Sequence, residues 1–167
     1  DLHKQYRSVL GQINWLQSRT QFQSCFMFSR CASAAAAPLI QNVKDINKLV
    51  RYIRQEEVSL HFWPLSTSLR LVGYPDAAYR NNKDGTTQRG QVIFVADERE
   101  EDNANPYASL VEYESTKIKK TVMSTTVAEL YSLMKCFGTC QFLRGLWMDM
   151  TGIAIPIHLR TDAKNLV

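Results

Sequence analysis

Asp76, Glu129 and Asp162 are the residues of this chain whose type and placement could do chemistry. Asp76 closes an apolar run, LVGYP (71–75), and the residues after it, Ala77, Ala78 and Tyr79, cannot neutralise it. Asp162 closes a second run, IPIHLRT (155–161), and Glu129 sits one turn into a long helical pattern that begins after Ser124. Taken singly, each has a plain structural use: an aspartate turning the chain after proline, a first-turn acid favoured by the helix dipole, and a strand-end turn residue. Taken together, they are carboxylates that a bound cation would neutralise.

Other chemistries find less support. Cys25, Cys31, Cys136 and Cys140 form no C-x-x-C pair and read as small buried hydrophobes, the last two on one helical face. His3, His61 and His158 are scattered, which argues against a zinc site or a nucleophilic triad.

The elements that must position the three acids follow from hydrophobic period. Leu2, Tyr6, Val9, Leu10, Ile13 and Leu16 predict an amphipathic helix; Phe22, Cys25 and Phe26 begin a second that fades into the alanine run. Val43, Ile46, Leu49, Val50 and Ile53 predict a third, with Lys44, Lys48, Arg51 and Arg54 on or near its other face. After Glu56-Glu57 the period becomes strand-like: Val58, Leu60 and Phe62 alternate, then Leu69 and Leu71 lead to Asp76. QVIFVA (91–96) and Ala108–Glu114 predict two further strands. NNKDG (81–85) predicts a hairpin turn, and DEREEDNANP (97–106) a solvated hairpin tip.

Ser124 is placed to cap a helix over Thr125–Met150, ended by Thr151-Gly152. Val127, Leu130, Leu133, Met134, Phe137, Leu143, Leu146 and Trp147 form its expected core stripe. A strand over 155–161 follows. A helix between two strands is the crossover a parallel pair requires, so the strand ending near Asp162 is expected beside the strand holding Asp76. Both aspartates then approach one end of the sheet, within reach of Glu129.

The 167-residue chain suits one domain with a small appendage: a helical segment over 1–57 and an α/β domain over 58–167. Its 45% apolar and 22% charged content is that of an ordinary globular protein, and its net charge of +4 leans toward polyanionic partners. The opening DLHKQYRSVL is polar and charged and does not read as a signal peptide, and CASAAAAPLI is about half the ~20 residues a membrane span needs, so no membrane association is expected.

The blocks GYPDAAY, STTVAELY and LRTDAKN, in this order, resemble the ribonuclease H domain of copia-type retrotransposon polyproteins, whose pattern is roughly G-Y-S-D-A-D-W, S-T-T-E-A-E-Y and C-D-N. YRSVLGQINWLQSRTQFQSCFMFSRCAS (6–33) and NKLVRYIR (47–54) resemble the segment that leads from reverse transcriptase into that domain. The resemblance covers Tyr6 to Asn165. It implies a ribonuclease H-like mixed sheet with a crossover helix, preceded by a small α-helical subdomain. By the same resemblance Asp76, Glu129 and Asp162 are the catalytic, metal-holding acids. Ala78 stands where the family has a second acid, Tyr79 where it has tryptophan, and Thr87-Gln88-Arg89-Gly90 where it has S-T-S-G.

What the resemblance implies about activity is cleavage of the RNA strand of an RNA–DNA hybrid with two Mg²⁺ (or Mn²⁺) ions. Hard cations of this kind prefer carboxylate oxygen, and two of them can stabilise both the attacking and the leaving oxygen. Arg80, Lys83, Arg89, Lys117, Lys119 and Lys120 are candidate phosphate contacts. The implied partners are the hybrid and the reverse transcriptase part of the same polyprotein, inside a cell, in a cytoplasmic particle or the nucleus. The family's fourth acid and its final helix and strand lie beyond its C-D-N motif. Weak or no nuclease activity is therefore expected from residues 1–167 alone, with the last strand an exposed edge that a larger assembly would cover. The rival readings are a domesticated or decayed module that binds without cutting, favoured by Ala78, by Gln88-Arg89 and by the missing fourth acid, and another metal nuclease of this fold such as an integrase or resolvase. The helical lead-in and the A-E-L context argue against the latter.

Overall fold

The computed structural model describes residues 1–82, 84–97 and 107–164. The chain divides into two compact units, Asp1–Leu60 and His61–Val167. Among the described residues no helix is long and apolar enough to cross a membrane.

The first unit holds α1 (Leu2–Gln17), a short 3-10 turn (Phe22–Ser24), α2 (Cys25–Ala32) and α3 (Ile40–Gln55). The Asp1 carboxylate caps α1 by accepting from His3 N–H, and the Asn42 side chain accepts from Leu39 N–H at the start of α3. The helical periods converge on one core: Tyr6, Leu10 and Ile13 from α1, Cys31 from α2, Ile46 and Leu49 from α3. Tyr6 is not only a filler. Its hydroxyl donates to the Cys31 carbonyl over 2.8 Å, and burial pushes its pKa up to about 12.

The second unit is a mixed α/β domain. Its four-stranded sheet runs in the order β3 (Ala108–Lys117), β2 (Gln88–Asp97), β1 (Leu69–Ala78), β4 (Ile157–Leu159), and α4 (Thr125–Thr151) packs on β1. β1–β2 and β2–β3 are antiparallel, whereas β4 pairs parallel to β1, as the crossover through α4 requires. The Ser124 hydroxyl accepts from Val127 N–H at one end of α4, and Gly152 takes the left-handed conformation (φ 74°) at the other, as its sequence signals indicate.

Four expectations are corrected. Residues 56–66 form no strand, and Phe62 is exposed. Alternation makes a strand only where a sheet edge accepts it, and this stretch is held instead by Trp63 N–H donating to Ser109 Oγ and Ser66 N–H to Asp97. β1 does not stop at Pro75 but continues to Ala78, with Asp76 opposite Gly90. Leu71 N–H donates to the Pro156 carbonyl and Arg160 N–H to the Gly73 carbonyl, so odd-numbered residues of β1 turn their backbone groups toward β4. Pro75 lies past the last β1–β4 pair, Gly73 with Leu159, so its missing N–H breaks no ladder bond. β4 itself covers only Ile157–Leu159 rather than 155–161.

The fourth correction concerns α4. Its fully buried row is Ala128, Ser132, Cys136 and Cys140, four residues apart, while Val127, Leu130, Met134, Phe137 and Leu146 of the expected stripe are exposed. Only Leu143 and Trp147 of that stripe pack on the core beside Leu71, Ile93 and Val95. α4 is apolar nearly all round, so hydrophobic period does not choose its inner face. Side-chain size does: the helix lies so close to Gly73 that only small residues fit between.

Candidate carboxylate site at the end of the central strands

β1 and β4 place the two aspartates by register. Their last paired residues are Gly73 and Leu159, and Asp76 and Asp162 each lie three positions further on. Asp76 stays within β1, opposite Gly90, and Asp162 follows the end of β4, so both acids lie past the last β1–β4 pair on the same side of it. Both side chains are exposed.

α4 supplies the third acid. Glu129 is in its second turn, half-buried, with its neighbour Ala128 wholly buried against the sheet in a cluster with Ala77, Ile118 and Val122. The helix start is tied down by the Tyr79 hydroxyl, which donates to the Met123 carbonyl. Ser132, one turn on, donates from Oγ to the Asp76 carbonyl (2.8 Å) and the Gly90 carbonyl (3.2 Å). The same residues that pack α4 therefore hold the backbone of Asp76.

The electrostatics show that the three acids share one region. Burial raises the pKa of Glu129, the charge of Asp76 raises it further, and that of Asp162 adds to both. The Ala77 N–H, donating to the Glu129 carboxylate, opposes these effects. This N–H belongs to an odd-numbered residue of β1 past the end of β4, so Glu129 accepts a backbone donor that no strand satisfies. Among the described residues no lysine, arginine or histidine forms an ion pair with any of the three acids. Nor do any three Asp, Glu, His or Cys side chains there close on a single point as a metal-holding group would. The three carboxylates interact through space without converging on one atom position.

Glu129 has a testable pH signature. Its pKa in the folded chain is raised, so its contribution to stability is complete below the ordinary glutamate value and is lost as pH rises through the raised value. At neutral pH the ionised side chain opposes folding. Glu129→Gln keeps an oxygen for Ala77 N–H and removes the repulsion, so in EDTA at pH 7 it should raise Tm by about 1–3 °C, the worth of a screened interaction below ~1 kcal/mol. The gain should vanish near pH 4. A lower Tm for the variant at pH 7 would show that Glu129 is held by a favourable partner instead.

The candidate phosphate contacts are dispersed. Arg80 adopts a left-handed backbone (φ 51°), and its guanidinium lies over the Tyr79 ring at 5.3 Å. Arg89 is largely buried and bonded to Glu114 at 2.7 Å. Lys117 bonds Asp84 at 2.6 Å, a contact that, with the Thr86 hydroxyl and amide, holds the Asp84 carboxyl well below the usual range. Lys119 and Lys120 are exposed. Lys83 lies outside the described residues, as do 98–106 of the expected hairpin tip.

Sequence reading missed the supporting groups: Ser132, the Ala77 N–H and Gly73. A glycine inside a strand and a serine inside an apolar helix were the signals for two of them; nothing in the sequence marked the third. No protein-family model, curated protein or solved structure matches the chain.

Proposed function

We propose that residues 61–167 are a ribonuclease H-like domain, a metal-dependent endonuclease that cuts the RNA strand of RNA–DNA hybrids in retrotransposon reverse transcription. The observation that carries this reading is the matched offset of Asp76 and Asp162 past the parallel β1–β4 register, with Glu129 near enough to feel both charges. Three carboxylates that no described lysine, arginine or histidine pairs with are a suitable donor set for Mg²⁺ or Mn²⁺. Asp76, Glu129 and Asp162 would hold the ions; Asp76 and Asp162, being exposed, have the rotamer freedom to close in. Two such ions supply an activated water and charge stabilisation at the phosphate. The chain's own part is positional: Ser132 fixes the Asp76 backbone, and Ala77 N–H orients Glu129. The expected partners are the hybrid and an adjacent reverse transcriptase, as the family resemblance implies.

The test is cleavage of a labelled RNA–DNA hybrid against RNA–RNA and DNA–DNA duplexes, in Mg²⁺, in Mn²⁺ and in EDTA. RNA-strand cleavage confined to the hybrid and to divalent cation is expected. In millimolar Mg²⁺ the stability order of wild type and Glu129→Gln should also reverse, because a bound ion stabilises only the chain that keeps its ligands. Cleavage that persists in EDTA would end the proposal. A second reading, a module that binds without cutting, draws on Ala78, an alanine at the exposed end of β1 where the resembled family has an acid, and on Arg89 and Lys117 being occupied by Glu114 and Asp84. It predicts binding of the ion with no turnover.

A further inference from the structure

The chain's charge is unevenly divided. Residues 1–60 contain eight Lys and Arg against four Asp and Glu, whereas residues 61–167 contain twelve of each. The whole net charge of +4 therefore belongs to the helical unit, and the sheet unit is neutral. Within the helical unit the cations concentrate on α3, where Lys44, Lys48, Arg51 and Arg54 are all exposed and follow one another at steps of four, three and three residues. The opposite face, with Ile46 and Leu49, is buried.

Such an arrangement has no use inside the fold. Residues three or four apart on a helix are neighbours, and like charges at those spacings destabilise it. An exposed helix that only needs solubility alternates acids and bases to gain the opposite effect. The sole acid within α3, Asp45, is half-buried off this row and accepts from Gln41; Glu56 and Glu57 follow the helix end. Among the described residues none of the four cations is in an ion pair. The row is about 15 Å long at 1.5 Å per residue, a length over which a nucleic-acid duplex carries about nine phosphate charges.

We infer that the solvent face of α3 binds the phosphate backbone of a nucleic-acid duplex through Lys44, Lys48, Arg51 and Arg54. The binding is independent of base sequence and of metal, and it does not depend on whether the sheet unit cuts. Phosphate recognition by side-chain cations alone makes affinity a steep function of salt.

The experiment uses the full chain with Asp76→Asn in EDTA, so that cleavage cannot interfere, and a fluorescent 20-base-pair hybrid or DNA duplex read by anisotropy. Four contacts, each contributing a slope of about −0.9, should weaken binding by about 100-fold between 50 and 200 mM salt. Replacing all four by Gln should remove most of that slope and about 100-fold of affinity at 50 mM salt, with Tm unchanged or slightly raised. A charge-preserving set (Lys44→Arg, Lys48→Arg, Arg51→Lys, Arg54→Lys) should retain both slope and affinity. Lys135→Gln with Arg144→Gln, the same charge change per residue in the sheet unit, should leave both nearly intact. Undiminished affinity and slope in the fourfold Gln variant would overturn the inference. So would tighter binding to vesicles of 30% phosphatidylserine than to duplex, or no duplex binding by the parent chain at 50 mM salt.

Discussion

Asp76→Asn should lower hybrid cleavage by about 10³-fold or more, a loss of at least ~4 kcal/mol of transition-state stabilisation, while leaving Tm within about 2 °C of wild type. The fold is expected to survive because Asp76 engages α4 through its backbone carbonyl, which accepts from Ser132, and its exposed side chain fills no core volume. Asparagine keeps the shape and one oxygen but removes the charge that a hard cation needs. The readouts are initial cleavage rate and the Mg²⁺-induced rise in Tm, and both should fall together. A variant that keeps the Tm response yet loses cleavage would move Asp76 from ion holding to substrate contact. Unchanged cleavage would assign the activity to other residues.

Gly73→Ala should destabilise the sheet unit by about 1–3 kcal/mol, seen as a Tm lower by roughly 3–10 °C, because it overfills a close-packed contact. A Cβ at this position would stand 2.7 Å from Cys136 Sγ, 2.8 Å from Leu159 Cδ2 and 3.2 Å from Cys140 Sγ. Two of these atoms belong to α4 and one to β4, the elements that carry Glu129 and lead to Asp162. The same substitution should therefore weaken Mg²⁺ binding as well as stability, although Gly73 itself touches no ligand. Adding Cys136→Ala removes the closest sulfur. The double variant should recover a substantial part of the loss, giving a coupling of about 1 kcal/mol or more between the two sites. Strict additivity would show that the strand, rather than the helix contact, sets the requirement for glycine. The two thiols need no chemistry to justify them: both are buried and free, and the hydrogen bond between them, with burial, raises the pKa of Cys136.

The local elements of this protein were legible in its sequence because local forces make them. Ser124 and Gly152 bound α4 through a side-chain cap and a left-handed glycine, both decided within a few residues of chain. The parallel pairing of β4 with β1 was also legible, since a helix between two strands leaves few other connections, and it sets Asp76 and Asp162 at equal offsets past the last β1–β4 pair. The alternation at Val58–Phe62 misled because a strand is made by pairing with a neighbour, and among the described residues this stretch joins no strand ladder. The inner face of α4 was hidden for a different reason. Leu130, Met134 and Phe137 are as apolar as a core requires, but the inner row is made of small residues: Cys136 and Cys140 against Gly73, Ser132 against the Asp76 and Gly90 carbonyls, and Ala128 against Ala77. Pairing of Arg89 with Glu114 and of Lys117 with Asp84 likewise joins residues 25 and 33 positions apart in sequence, which no local pattern encodes. Residue type and chain order determined which acids could meet; packing distance between helix and sheet decided which side chains stand between them, because volume, unlike hydrophobicity, is judged only against a neighbour already in place.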